Sequence, residues 1–187
     1  MIQALKRVRD LMISLEQYAV VDENATLLEA LYALDRAQFH VRNNGHQHRA
    51  VLVRSRGGRI VGKIGHLAFL RALRTVHDDP RGEDRLRRAG VDQEMIRHSE
   101  GFYRLLSEDV TDLCGKARTI KAREAMRPVS ERITANESLM DALDAFERWQ
   151  TQSLLVTDNG GAVGIIRAVD LFDEIATTMK RCAQGEK

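Results

Sequence analysis

At 187 residues the chain holds one ordinary domain or two small ones, and its net charge of +2, from 29 basic against 27 acidic residues, is too weak to argue for nucleic acid by itself. No apolar run approaches the roughly 20 residues that span a bilayer, and Met1–Arg9 lacks an apolar core of signal-peptide length. A soluble, cytoplasmic protein is therefore expected, and the preference for arginine over lysine fits a GC-rich bacterial coding sequence.

The elements follow in chain order. Ile2, Leu5, Val8 and Met12 recur at helical spacing and predict a short leading helix. Val20-Val21 predicts a short buried strand. Asn24 or Thr26 opens a helix with an apolar face of Leu27, Leu31 and Leu34, and Glu29 in its first turn. Arg42–His48 is a polar loop with an Asn-Asn-Gly turn signal. Ala50–Arg54 and Arg59–Ile64 are strands joined at Gly57-Gly58. Leu67, Leu70 and Leu73 mark the next helix. From His77 to Thr119 a charged loop leads into one or two amphipathic helices, broken near Gly101. Arg132–Ala135 is a strand, and Leu139, Leu143 and Phe146 face a helix. Leu154–Thr157 and Ala162–Ile166 form a hairpin around Asn159-Gly160-Gly161, and Leu171, Ile175 and Met179 mark the last helix.

This order repeats. Val8–Met12, Val20–Leu31 and Ala50–Gly62 are mirrored by Ala122–Met126, Arg132–Leu143 and Ser153–Gly164, an offset of about a hundred residues, too long for a solenoid. Three segments follow: residues 1–76 with the leading helix and first unit, 77–119 as the insert, and 120–187 as the second unit. Two units of this size are each marginal alone, and packing them together enlarges a shared core.

The strand–helix–strand–strand–helix plan, and the block Gly164-Ile165-Ile166-Arg167-Ala168-Val169-Asp170-Leu171-Phe172 after its Asn-Gly-Gly turn, resemble a pair of CBS domains, the Bateman module. The resemblance implies an α/β fold: two units, each a three-stranded sheet with two helices, related by a pseudo-twofold axis. It also implies a regulatory rather than catalytic role.

In nucleotide-binding members of that family, an aspartate at the position of Asp170 holds ribose hydroxyls, and a hydroxyl residue at the position of Arg167 meets a phosphate. A carboxylate accepts two hydroxyl hydrogen bonds, and a helix start offers N–H groups to an anion. Arginine at 167 binds phosphate as a fork. The first unit has Gly65 and Ala68 at these positions, so ribose recognition is expected in the second unit only. The implied cleft is lined by Met126, Arg127, Pro128, Arg132, Ile133, Ser153, Leu154, Gly164, Arg167 and Asp170. Arg132 and Arg167 are expected side by side, facing an anion such as a polyphosphate. Asp170 also stands where an N-cap would precede Leu171, and Arg167 has Asp158, Asp170 and Glu174 as alternative partners.

Other constellations are weaker. His46 and His48 form a His-x-His pair near His40, with no cysteine or carboxylate to complete a metal site, and are read as solvated loop residues. Cys114 and Cys182 lack metal-type spacing and are read as free thiols, buried or half-buried. Arg81–Arg88 interleaves with acidic residues, the pattern of a solvated surface. There is no nucleophile elbow and no phosphate loop, so no enzyme is expected.

The expected function is a module that senses AMP, ADP, ATP or S-adenosylmethionine in the second unit, requires no cofactor, and modulates an effector protein in trans. The alternative is a ligand-free dimerisation scaffold. A homodimer is expected through its helices; Leu139, Phe146, Trp149, Phe172 and Met179 supply either that face or the chain's own core.

Overall fold

The computed structural model describes residues 6–41, 48–73 and 110–184. In chain order these form α1 (Val8–Leu11), β1 (Ile13–Ser14), β2 (Val20–Asp22), α2 (Leu27–Val41), β3 (Ala50–Arg54), β4 (Ile60–Gly65) and α3 (His66–Leu73). Then come α4 (Val110–Thr119), α5 (Ala122–Ala125), β5 (Arg127–Pro128), β6 (Arg132–Thr134), α6 (Leu139–Trp149), β7 (Ser153–Asp158), β8 (Gly161–Arg167) and α7 (Ala168–Ala183).

Local chemistry sets these boundaries. Thr26 Oγ1 accepts from the Glu29 N–H at 3.2 Å while Glu29 accepts from the Thr26 N–H at 2.6 Å, a reciprocal cap that starts α2. Ser138 and Asp141 repeat the device at α6. Gly58 (φ +81°) and Gly160 (φ +79°) supply the left-handed turns of the two hairpins.

The sheets are four-stranded rather than three-stranded, ordered β2-β3-β4-β5 and β1-β8-β7-β6. The fourth strand of each comes from the arm preceding the other unit. β1 runs antiparallel to β8, with Ile13 opposite Ile165, and β5 runs antiparallel to β4, with Arg127 opposite Lys63. The arms are anchored alike. Val8 N–H donates to Glu137 O at 3.0 Å and Arg9 N–H to Ala135 O at 3.0 Å. Ala122 N–H donates to Ala25 O at 2.7 Å and Arg123 N–H to Glu23 O at 3.0 Å. This exchange makes each half part of the other's fold.

Three apolar clusters result. Val51 and Val53 point to the helices of the first unit while Leu52 points to the opposite sheet; Leu154 and Val156 contrast with Leu155 in the same way. Strands buried on both faces explain the continuous apolar runs in the sequence. The inter-sheet layer holds Tyr18, Leu52, Ile60, Val129, Leu155 and Ile165.

The helices sit differently from the leucine-based expectation. In α2 the buried face is Leu27, Ala30 and Ala33, with Leu31 39% exposed. In α3, Ala68 and Ala72 are buried while Leu67 and Leu70 stand outward. In α6, Ala142, Ala145 and Phe146 are buried and Leu143 is exposed; in α7, Leu171 is buried and Met179 exposed. Small residues let helix and sheet approach closely, leaving larger side chains on the outer face. Cys114 and Cys182 are free but exposed, not buried or half-buried.

Of the expected insert, α4 packs against α2 and α3. Its earlier part, with the Arg81–Arg88 run, lies outside the described residues, as do Ile2 and Leu5 of the leading helix. Among the described residues no helix is long and apolar enough to cross a membrane.

Candidate functional site

The ten residues expected to share one cleft are divided among several places. Arg167 and Asp170 stay together. Asp170 is the third residue of α7 rather than its N-cap; Arg167 holds that position in extended conformation. Its Nε donates to Asp170 Oδ2 at 2.6 Å and its Nη2 to Oδ1 at 2.5 Å, a two-pronged ion pair. Both side chains are largely buried, at 10% and 17% exposure.

The first unit faces this pair. Tyr18, between β1 and β2, and His48, ahead of β3, meet edge to face with ring centroids 4.4 Å apart and planes at 77°. Burial pushes the Tyr18 hydroxyl up to about 12; the Arg167 charge opposes and Asp170 adds to the rise. His48 is held below the usual imidazole range chiefly by burial and then by Arg167, with Asp170 acting against them. His48 is fully buried, and among the described residues neither ring nitrogen has a hydrogen-bond partner. The reading of His48 as a solvated loop residue is thus corrected; His46 lies outside the described residues. Among the described residues, no group of three or more His, Cys, Asp or Glu is arranged to hold a metal.

Ser153 belongs to a second place, where Lys63 reaches from β4 across the unit boundary. Lys63 Nζ lies 3.2 Å from Thr151 Oγ1 and 3.4 Å from both Ser153 O and Ser153 Oγ. Desolvation lowers the Lys63 pKa, Glu131 opposes, and Arg127 assists the lowering. Arg127 and Pro128 therefore border the first unit's sheet, through β5, rather than a cleft inside the second unit. Met126 packs on the first unit's core.

Three further expectations change. Ile133 and Leu154 are core residues beneath α6 and α7, because their strand positions face the helices. Gly164 meets β1: a Cβ there would lie 2.5 Å from Ile13 O, so backbone approach accounts for this glycine. Arg132 and Arg167 are not side by side. Arg132 pairs in register with Leu155 and Arg167 with Ser153, so β7 and two residues of register separate them. Arg132 instead lines a separate cleft of about 500 Å³ between the two hairpins, together with Arg59.

Tyr18, Lys63 and Arg59 escaped the sequence reading. One signal for Lys63 was present: aligning Gly62 with Gly164 places this lysine where the second copy has the core residue Ile165.

Residues 122–177 match the family described as CBS domain. The match covers the second unit up to the middle of α7. The chain's overall fold is that of a CBS pair. The CBS domain of a CBS-domain-containing membrane protein from Sphaerobacter thermophilus aligns with a TM-score of 0.61 and 19% identity, covering 90% of this chain and 87% of that one. CBSX2 from Arabidopsis thaliana aligns at 0.60 and 18%, covering 95% and 99%. The CBS domain of a bacterial CNNM/CorC family Mg2+ transporter, solved with ATP, aligns at 0.57 and 15%, covering 91% and 87%. No curated protein matches the sequence significantly. Arg167 and Asp170 fall inside the family match, whereas Tyr18, His48 and Lys63 lie outside it.

Proposed function

We propose that this CBS pair is a regulatory module that binds an adenine nucleotide or related adenosyl ligand at the start of α7 and modulates an effector protein in trans. The Arg167–Asp170 pair carries the reading. It holds a phosphate-binding fork and a hydroxyl-accepting carboxylate side by side on the first turn of a sixteen-residue helix. Binding exchanges partners: the guanidinium turns to phosphate and the carboxylate to ribose hydroxyls. Tyr18 and His48 make the first unit respond to that exchange. Two structural relatives add support, CBSX2 in complex with AMP and the transporter CBS domain in complex with ATP.

The scaffold reading has its own observation. Large apolar side chains stand outward on the helices, with Leu67 at 59% exposure, Leu70 at 58%, and Phe172 and Met179 at 67%. Two copies paired through these helices would cover them; of the two alternatives for Phe146, the chain's own core is the one it occupies.

Thermal unfolding with AMP, ADP, ATP and S-adenosylmethionine separates the two readings. A ligand at about 100 times its dissociation constant adds roughly 2.7 kcal/mol. That raises the midpoint by about 5–11 °C for a chain of this size. A rise with one adenosyl ligand supports the sensor; a flat panel supports the scaffold.

A further inference from the structure

The geometry points to a second ligand site, separate from Arg167 and Asp170: the cleft between the two hairpins, built to take a small organic phosphate with an apolar body. The cleft encloses about 500 Å³, within the range of small-molecule sites. Its two cations come from different units, Arg59 ahead of β4 and Arg132 at the start of β6. No carboxylate is among its lining residues. Among the described residues neither guanidinium makes an ion pair, and the acidic residue at the end of β7, Asp158, is paired with Arg9 at 3.7 Å. Two guanidinium groups without a protein counter-charge favour a doubly charged anion, and their fork geometry suits phosphate.

The walls and floor define the rest of the ligand. At Gly58 and Gly160 a Cβ would meet nothing within 4 Å, so the two turns leave bare backbone open to a bound molecule. The Thr157 hydroxyl is spent on Ile133 O at 3.3 Å. The floor is Ile60, Val129 and Leu155, buried residues of the inter-sheet layer where it borders the cleft. An inorganic anion would leave that apolar floor wet; a ring or short chain would cover it. Because each hairpin contributes one wall, occupancy ties the two units together at the end of the sheets opposite Ser153 and Arg167.

Phenyl phosphate is the probe, titrated into the full chain labelled with 15N and followed by NMR, with inorganic phosphate in parallel. The expected result is saturable shifts at the Gly58 and Gly160 amides, tighter for phenyl phosphate than for inorganic phosphate. Affinity should fall about tenfold in Arg59→Gln and in Arg132→Gln, the scale of one charge-assisted hydrogen bond. Arg148→Gln, an exposed change on α6 outside the cleft, should leave it unchanged, and the exposed arginine variants should keep the wild-type thermal midpoint. Absence of shifts at both turns would overturn the proposal. So would undiminished affinity in both cleft-arginine variants, equal affinity for the two probes, or loss of binding in Arg148→Gln.

Discussion

Arg167 grips both carboxylate oxygens of Asp170 from three residues upstream, at 2.6 and 2.5 Å. The pair joins the last residue of β8 to the first turn of α7, where a carboxylate also complements the helix dipole. Both side chains are mostly buried, and under the proposed function this pair is the anion-and-hydroxyl reader, held shut on itself until ligand binds. Replacing Asp170 leaves a largely buried guanidinium charge, so the pair matters for stability whether or not a ligand is bound.

The exchanged arms make a strong steric prediction. A Cβ at Gly164 would sit 2.5 Å from Ile13 O and 3.1 Å from Met12 Sδ, and one at Gly62 would collide with the Met126 side chain. Backbone cannot yield as a side chain tip can. Gly164→Ala should therefore destabilise by about 1–3 kcal/mol, the usual range for overpacking. Gly62→Ala should be milder, since the flexible Met126 side chain takes the closest contact and the nearest backbone atom, Arg127 O, lies 3.0 Å away rather than 2.5 Å. Urea unfolding measures both; equal effects would show that β1 is not held against β8 as described.

His48 sets an acid limit. Its folded-state pKa lies below the ordinary 6.5 through burial, with Arg167 assisting and Asp170 opposing. The unfolded chain then binds the proton more readily. The histidine contributes full stability above pH 6.5, and that contribution is lost as pH falls from 6.5 through the folded-state value. His48→Phe keeps a ring against Tyr18 and removes the titration. Between pH 7 and pH 5 the wild type should lose more stability than His48→Phe in denaturant titrations. Parallel curves would contradict the assignment.

The outward helix residues predict an assembly. Leu70→Asp on α3 and Phe172→Asp on α7 change side chains that are 58% and 67% exposed, so the fold of one copy should survive. Light scattering should give a dimeric mass for the wild type and a monomeric mass for the double variant. A monomeric wild type would remove the helix-face pairing.

What could be read in the sequence follows from how locally each feature is encoded. The hairpins at Gly58 and Gly160 and the caps at Thr26 and Ser138 are decided by a few adjacent residues, so two repeated units were legible. The arms were not. β1 and β5 are two-residue strands with no pattern of their own, defined only by partners in the other half. For the same reason the expected cleft of the second unit was divided. Asp170 faces Tyr18 and His48, and Ser153 faces Lys63, because the two sheets meet face to face. The Arg132–Arg167 neighbourhood failed on register, which three strands determine together. The leucine faces failed because alanine, silent in a hydrophobic pattern, was the residue that let helix and sheet close.

Calorimetric titration of AMP and of ATP into the wild type and into Asp170→Asn decides whether the Arg167–Asp170 pair binds a nucleotide. The wild type should bind at least one nucleotide saturably. Asp170→Asn should bind it at least about tenfold more weakly, the loss expected for a hydrogen bond to a charged group. Equal affinity in the two proteins, or no binding of either nucleotide to the wild type, would contradict that role of the pair.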